Sequence, residues 1–296
     1  MNTKIINKVN SLIVNEGLTN TFNENIKLFK TTTFTPRGPL LYDFTLIIVI
    51  QGKKIAYLSD KTLQYDANNY LVVPATIPFE CETIASKEEP FICMLVSIDK
   101  KVMFELIDTL AKKYQENDKS CDCSLAVFSD EVTDEIEDII YRLLKTLKSK
   151  EETQILANQL LRELYYRIAI GKNSAFLHKM FLNTNNEAKI SKALKTIHDN
   201  FKEHLDIPSL AKEEDMSVSS FHTHFKKVTS HTPLQYIKKI RLNKAKDLIT
   251  QENYQVNETA YSVGYESISQ FSRDFKSYYG YPPKEAKPSF EVYSMN

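Results

Sequence analysis

Ser217–Lys246 reads SVSSFHTHFKKVTSHTPLQYIKKIRLNKAK. It holds seven basic residues (Lys226, Lys227, Lys238, Lys239, Arg241, Lys244, Lys246), three histidines and no Asp or Glu. In a chain with 38 Lys+Arg against 38 Asp+Glu, that is a confined positive surface. Phe221 and Phe225 stand one helical turn apart, which predicts a helix packed on one side. The other side then carries Ser219, Ser220, His222, Thr223 and Lys226. Short hydrogen-bonding groups beside a cation are what phosphate neutralisation and base-edge contact both require.

The pattern returns 50 residues later. Ser217, Ser219, Phe221, Phe225, Lys226 and Pro233 become Ser267, Ser269, Phe271, Phe275, Lys276 and Pro283. Two copies of a small helical unit are fewer than a solenoid needs. Two helix-turn-helix units joined by a helix instead place recognition helices in successive major grooves, about 34 Å apart.

With both copies in view, the segments SLAKEEDMSVSSFHTHFKKVTSHTPLQYIKKIRLNKAKDLI and ETAYSVGYESISQFSRDFKSYYGYPPKE resemble the paired helix-turn-helix domain of AraC/XylS-type transcription regulators. The resemblance implies base-reading positions at Ser219, Ser220, His222 and Thr223 in the first unit, and at Ile268, Ser269, Ser272 and Arg273 in the second. Lys226, Lys227, Ser267 and Gln270 suit the DNA backbone. Arg273 alone among these has the fork for a bidentate contact to guanine, worth roughly 1–3 kcal/mol of discrimination. Its other readings are a phosphate contact or a partner for Asp274. Ile268 offers an apolar contact such as a thymine methyl. Three positions depart from the family pattern: Ser230 where a helix-ending glycine is common, Thr259 in place of an isoleucine, and Ala286 in place of an aromatic. None removes a DNA-facing group. His222 and His224, two apart, point to different helix faces and make no chelating pair.

The rest of the composition frames this reading. A chain of 296 residues has room for two domains, each with its own core. Residues 187–296 hold 16 Lys+Arg and 14 Asp+Glu, a net +2 that leaves −2 for the remainder. A site-specific reader with a small footprint fits that balance better than a protein that coats nucleic acid. No basic-then-apolar leader opens the chain, and the longest apolar run, Phe91–Val96, is too short to span a bilayer. The expected compartment is the cytoplasm, with Cys81, Cys93, Cys121 and Cys123 as free thiols. Cys121-x-Cys123 lacks the second pair that a closed zinc site needs, and reads as loop thiols.

Upstream, Ile5, Val9, Leu12 and Ile13 predict a short amphipathic helix. From Ile26 short apolar runs alternate with turn signals such as Gln51-Gly52 and Asp66–Asn69, the texture of an antiparallel barrel or sandwich. Alternation over 78–84 turns Phe79, Cys81 and Thr83 inward, with Glu80 and Glu82 on the other face. The segments LLYDFTLIIVIQGKKIAYLSDKTLQYDANNYLVVPATIPFECE and EEPFICMLVSID resemble the cupin-like N-terminal domain of a subset of AraC-type regulators. That resemblance implies a small barrel sensing an effector. Phe79, Cys81 and Cys93 are the candidate effector-facing residues. All six histidines (His178, His198, His204, His222, His224, His231) fall outside the barrel segment, which argues against a metallo-cupin and leaves metal and cofactor at none. The interior either accepts a small organic molecule or is a filled core.

From residue 130 the period becomes helical. Val132–Leu147 and Ile155–Ile168 carry apolar stripes, the second ended by Gly171. These helices pack on the barrel or form a dimer interface; the family resemblance implies the second, a homodimer. Lys172–Glu187, rich in Asn, contains the expected linker, and a helix over Ala188–Leu205 opens the DNA-binding part. No catalytic constellation and no phosphate-cradling glycine loop is present, so an enzyme is not expected.

The expectation is an α+β chain: an N-terminal antiparallel β-barrel (cupin-like) with flanking helices over 1–125, a helical dimerisation and linker segment over 126–186, and an all-α domain with two helix-turn-helix units over 187–296. Its expected work is sequence-specific binding of double-stranded DNA under control of a small-molecule effector, with no membrane partner. Two rivals stand beside it: a constitutive regulator with a filled barrel, and a small-molecule- or electrophile-binding protein with a vestigial DNA-binding domain.

Overall fold

The computed structural model describes residues 1, 3–42, 44–58, 61–114, 127–181 and 186–286; Cys121 and Cys123 lie outside them. Helix α1 (Thr3–Asn10) is followed by β1 (Gly17–Asn20), β2 (Ile26–Thr31), β3 (Thr35–Tyr42), β4 (Thr45–Gln51), β5 (Lys53–Leu58), β6 (Lys61–Asp66), β7 (Asn69–Val73), β8 (Ile77–Ile84) and β9 (Phe91–Ser97). Then come α2 (Lys100–Tyr114), β10 (Phe128–Glu131), α3 (Asp134–Thr146), α4 (Lys150–Ala169) and α5 (Ala175–Phe181). The C-terminal part is α6 (Asn186–Asp199), α7 (Ile207–Glu213), α8 (Val218–Thr229), α9 (Pro233–Gln251), α10 (Val256–Ser262), α11 (Ile268–Tyr279) and a 3-10 turn at Pro283–Glu285. Antiparallel sheets followed by a helical domain are the α+β order expected.

The strands form two antiparallel sheets, one of six in the order β1-β2-β9-β4-β7-β10 and one of four in the order β3-β8-β5-β6. On β8 the alternation holds: Phe79, Cys81 and Thr83 are buried, Glu80 and Glu82 only half-buried. On β4 it vanishes, because Thr45–Ile50 is buried on both faces. One face lines the interior and α1 packs on this strand from outside. A continuous apolar run is what a doubly covered strand requires. The interior also holds one cation that periodicity does not reveal. Lys54 is fully buried on β5, its Nζ 3.5 Å from the Tyr42 hydroxyl and 5.7 Å from the centre of the Phe91 ring. Tyr42 and the two ring faces offset part of the cost of desolvating an ammonium.

Four features differ from the sequence reading. The four residues of β10, too short to show a period, pair with β7, so the six-stranded sheet takes a strand from beyond residue 125. In α4 the buried stripe is Thr153, Ala157, Leu161, Leu164, Tyr165 and Ile168, while Ile155 and Leu156 are 58% and 46% exposed. Inside the expected linker, α5 buries Phe176, Leu177, His178 and Met180, an apolar segment hidden by its polar flanks. Finally α6 stops at Asp199, short of Leu205.

That early stop has a partner. The Arg241 guanidinium donates to three backbone carbonyls: Nε to Phe201 at 2.8 Å, Nη1 to Gly264 at 2.9 Å and Nη2 to Glu203 at 2.8 Å. It ties the segment after α6 to the turn after α10. Gly264 sits at φ +82°, and a Cβ there would lie 2.3 Å from the Lys202 carbonyl oxygen, so only glycine fits. A second clamp fastens the helices to the sheets. Asp130 on β10 accepts the Asn173 backbone N–H at 2.9 Å, and Asn173 Nδ2 donates to the Ser129 carbonyl at 2.9 Å. Burial and the Asp130 charge together push the Tyr70 phenol far up, keeping it protonated. No described helix is long and apolar enough to cross a membrane.

A Cβ on Gly171 would meet Asp130 Oδ2 at 2.8 Å and Tyr70 Oη at 3.0 Å. Gly171→Ala is therefore expected to cost about 1–3 kcal/mol in urea unfolding. Arg241→Lys keeps the charge but serves one carbonyl where the fork served three, and is expected to cost about 1–3 kcal/mol by the same measurement. An unchanged midpoint for Arg241→Lys would remove the clamp's stabilising role.

Candidate nucleic-acid interface

Each unit is built the same way. Ser217 caps α8 by accepting the Ser220 N–H, and Ser267 caps α11 by accepting the Gln270 N–H. At the other end the chain turns through the left-handed region, at Ser230 (φ 63°) after α8 and at Gly280 (φ 84°) after α11. Ser230 thus occupies the glycine conformation without being glycine, at a local cost of about 1–2 kcal/mol. Phe221 and Phe225 are fully buried with ring centres 5.5 Å apart; Phe271 and Phe275 repeat this at 5.7 Å. Thr259 is buried, and its hydroxyl is satisfied by donating to the Gln255 carbonyl at 2.9 Å. Ala286 packs at the edge of the second core.

The buried phenylalanines force the opposite face outward. On α8 Ser219, His222, Thr223 and Lys226 are exposed, while Ser220 and Lys227 are half-buried. On α11 Ser269, Gln270 and Arg273 are exposed together with the cap Ser267, and Ser272 is half-buried. Ile268 is half-buried too, packed against the second core. Lys276, named by the repeat as the counterpart of Lys226 but not among the DNA contacts expected from sequence, is exposed and continues the α11 face one turn beyond Arg273. Arg273 donates to Gln270 Oε1 at 2.9 Å and not to Asp274, whose carboxylate is held by Lys238 at 3.2 Å. The fork therefore stays on the outer surface. His222 is exposed, whereas His224 is half-buried with Nε2 2.9 Å from Asn186 Nδ2, so the two face different ways.

An open cleft of about 760 Å³ lies at the N-terminus of α11, lined by Lys202, His204, Arg241, Tyr265, Ser267 and Gln270. Free N–H groups at a helix start beside Lys202 favour an anion, and the Glu266 carboxylate in the same lining opposes one. The interior candidates sit elsewhere. Phe79 and Cys81 project from β8 of one sheet and Cys93 from β9 of the other, all 3% exposed or less. Phe79 packs on Tyr42 with ring centres 5.6 Å apart, and Cys81 Sγ lies 3.8 Å from the Tyr65 hydroxyl.

The two halves meet at a seam that no sequence pattern signals. Tyr236 on α9 donates its hydroxyl to the Thr76 carbonyl at 2.6 Å, and His231 Nε2 lies 3.0 Å from the Pro78 carbonyl oxygen. One apolar core consequently runs from the sheets through α3–α5 into the first helix-turn-helix unit, and the second unit has a core of its own.

Residues 23–176 match the family described as the AraC-type transcriptional regulator N-terminus, and residues 210–288 match a helix-turn-helix domain. The transcriptional activator RhaS of Salmonella paratyphi B is 29% identical over 104 residues, 35% of this chain. The chain thus spans 37% of the length of that relative. Solved structures of ToxT from Vibrio cholerae share the fold: one aligns with a TM-score of 0.58 at 12% identity over 91% of this chain and 97% of its own. A ToxT structure bound to an unsaturated fatty acid gives 0.58 at 12% over 92% and 95%. A family match over more than half the chain, on sheets and helices arranged as described, leads to one conclusion: the protein belongs to the AraC-type transcriptional regulators.

Proposed function

We propose that the protein is a sequence-specific DNA-binding transcription regulator in the cytoplasm. The observation that carries this is the doubled helix: two N-capped helices, α8 and α11, present the same exposed face at a 50-residue offset on one rigid connector, α9. In this reading Ser219, Ser220, His222 and Thr223 contact bases through α8, and Ser269, Ser272 and Arg273 through α11. Ile268 adds an apolar edge where it is exposed. Lys226, Lys227, Ser267 and Gln270 contact phosphates, with the cleft at the start of α11 receiving one. The units are a sensing part over 1–125 to which β10 adds a strand, the helices that follow it up to residue 186, and a DNA-binding part over 187–296.

A small-molecule effector acts on the cupin-like double sheet and changes how the DNA-binding part is presented. The fold shared with ToxT, one of whose structures holds an unsaturated fatty acid, supports that reading. The effector must bind the two presentations with different affinity, or it shifts nothing. The rival of a constitutive regulator draws on the tight packing of Phe79 on Tyr42 and of Cys81 on Tyr65. A thermal shift with an unsaturated fatty acid, weakened by Phe79→Ala, separates these two readings. We also assign the homodimer contact to α4, whose Ile155, Leu156 and Tyr166 are exposed apolar side chains.

In a salt series on DNA from the gene's own upstream region, Arg273→Ala is expected to lose about 1–3 kcal/mol of discrimination between matched and mismatched sites. The Lys226→Ala/Lys227→Ala chain should weaken all sequences alike and flatten the salt slope by about 2. If no sequence is bound selectively, with or without fatty acid, the DNA-binding reading falls and a vestigial domain takes its place. In sedimentation, Ile155→Glu/Leu156→Glu is expected to be monomeric while retaining its helical content. A dimer unaffected by that change rules out α4 as the contact.

A further inference from the structure

The two recognition helices are copies in their caps and cores but not along the whole of their outer faces. Ser219 recurs as Ser269 and Lys226 as Lys276, whereas Ser220 and Thr223 give way to Gln270 and Arg273. Both replacements are long side chains where α8 has short ones, and in the folded chain they touch: Arg273 Nη2 donates to Gln270 Oε1 at 2.9 Å. On α8 the corresponding threonine turns back on its own helix, its hydroxyl donating to the Ser219 carbonyl at 3.0 Å. The second unit therefore carries a coupled pair that the first one lacks.

That pair is held from below. The backbone N–H of Gln270 donates to the cap Ser267, which fixes the root of its side chain at the start of α11. Residues three apart share a helix face, so Gln270 reaches Arg273 without either leaving the outer surface. The adjacent carboxylate is kept out of the way. Asp274 has a side chain only 14% exposed, pairs with Lys238 of α9 at 3.2 Å and accepts the Tyr265 hydroxyl at 3.4 Å. The acceptor on Arg273 is thus a neutral amide, which orients the guanidinium without cancelling its charge.

We infer that Gln270 is a positioning residue for Arg273: its Oε1 holds the guanidinium so that the remaining N–H groups of the fork are presented, already ordered, to one base pair. This rests on the reading of Arg273 as a base contact given above. A free arginine side chain loses rotamer freedom when it clamps a base. One already held by Gln270 loses less, and the difference favours the matched base pair. The bond strengthens when DNA excludes water from it. Gln270 keeps its own amide N–H groups for the phosphate assigned to it, so a single side chain ties register on the backbone to readout of a base. Ser220, its counterpart on α8, is too short to do the same.

The probe is a duplex selected by the full-length wild-type chain from a random-sequence pool, together with every single-base-pair change of that duplex. Arg273→Ala identifies the base pair concerned, as the one whose preference it removes. Gln270→Met is close in length but has no acceptor. It is expected to lower the preference at that same base pair about two- to tenfold and to leave the other preferences and the salt slope unchanged. Gln270→Glu keeps an acceptor and should retain the preference, while binding every sequence more weakly because a carboxylate then faces the phosphate. In the Arg273→Ala chain, Gln270→Met should alter no preference further. Far-UV circular dichroism identifies any chain that fails to fold; if Gln270→Met is such a chain, Gln270→Ala carries the test. A folded Gln270→Met chain that weakens all sequences alike, or lowers preferences only at other base pairs, overturns the positioning role and leaves the base contact of Arg273 standing. An Arg273→Ala chain that keeps every preference overturns both.

Discussion

A helix with two apolar sides holds the C-terminal part together. Helix α9 gives Tyr236, Ile237 and Ile240 to a core continuous with the sheets, and Leu242 and Ala245 to the separate core of the second unit. Burial of apolar side chains on both sides makes α9 a connector that cannot rotate without opening one core or the other. Both recognition helices take their orientation from it. The polar side chains of α9 follow the same logic: Arg241 fastens the second unit by three carbonyls, Lys238 holds Asp274 of α11, and Lys239 meets His231 in the turn that touches β8.

The two units have different attachments. The first shares its core with the sheets and adds two side-chain contacts to their backbone, from Tyr236 and His231. The second keeps an independent core of six buried residues, from Leu242 to Phe275. A change at the seam therefore reaches the first unit through a shared core, and the second through α9 and through the contact of α11 with β3. The link between the sheets and the first unit is short: one strand, β8, carries Phe79 and Cys81 inward and meets the turn before α9 at the Pro78 carbonyl, while α9 takes the Thr76 carbonyl just ahead of that strand.

Much of the DNA-binding part was legible because its signals are local. A serine before each helix, an aromatic pair one turn apart and a repeat at a constant offset are short-range patterns, and Ser217, Phe221 and Phe225 with their counterparts Ser267, Phe271 and Phe275 stand where those patterns place them. The sheets were legible through alternation on β8 but not through β10, whose four residues hold no period. On α4 the apolar residues alone misjudged the inward face: Thr153 and Ala157 are buried there, and Ile155 and Leu156 are not. Small or polar residues fit where a helix packs closely, which hydrophobicity does not register.

The sequence by itself determined the class of the chain, the pair of recognition helices and most of the residues on their outer face, Ile268 being half-buried against the second core, because helical and strand periods are set by backbone geometry within a few residues. Only the tertiary structure decided what His231, Lys239, Arg241 and Lys54 do. Each acts on a group far away in sequence: Pro78 for His231, Phe201 and Gly264 for Arg241, the ring of Tyr278 for Lys239, and for Lys54 the ring of Phe91. Their roles depend on distance in space and on exclusion from water, and neither quantity has a local signature in the chain.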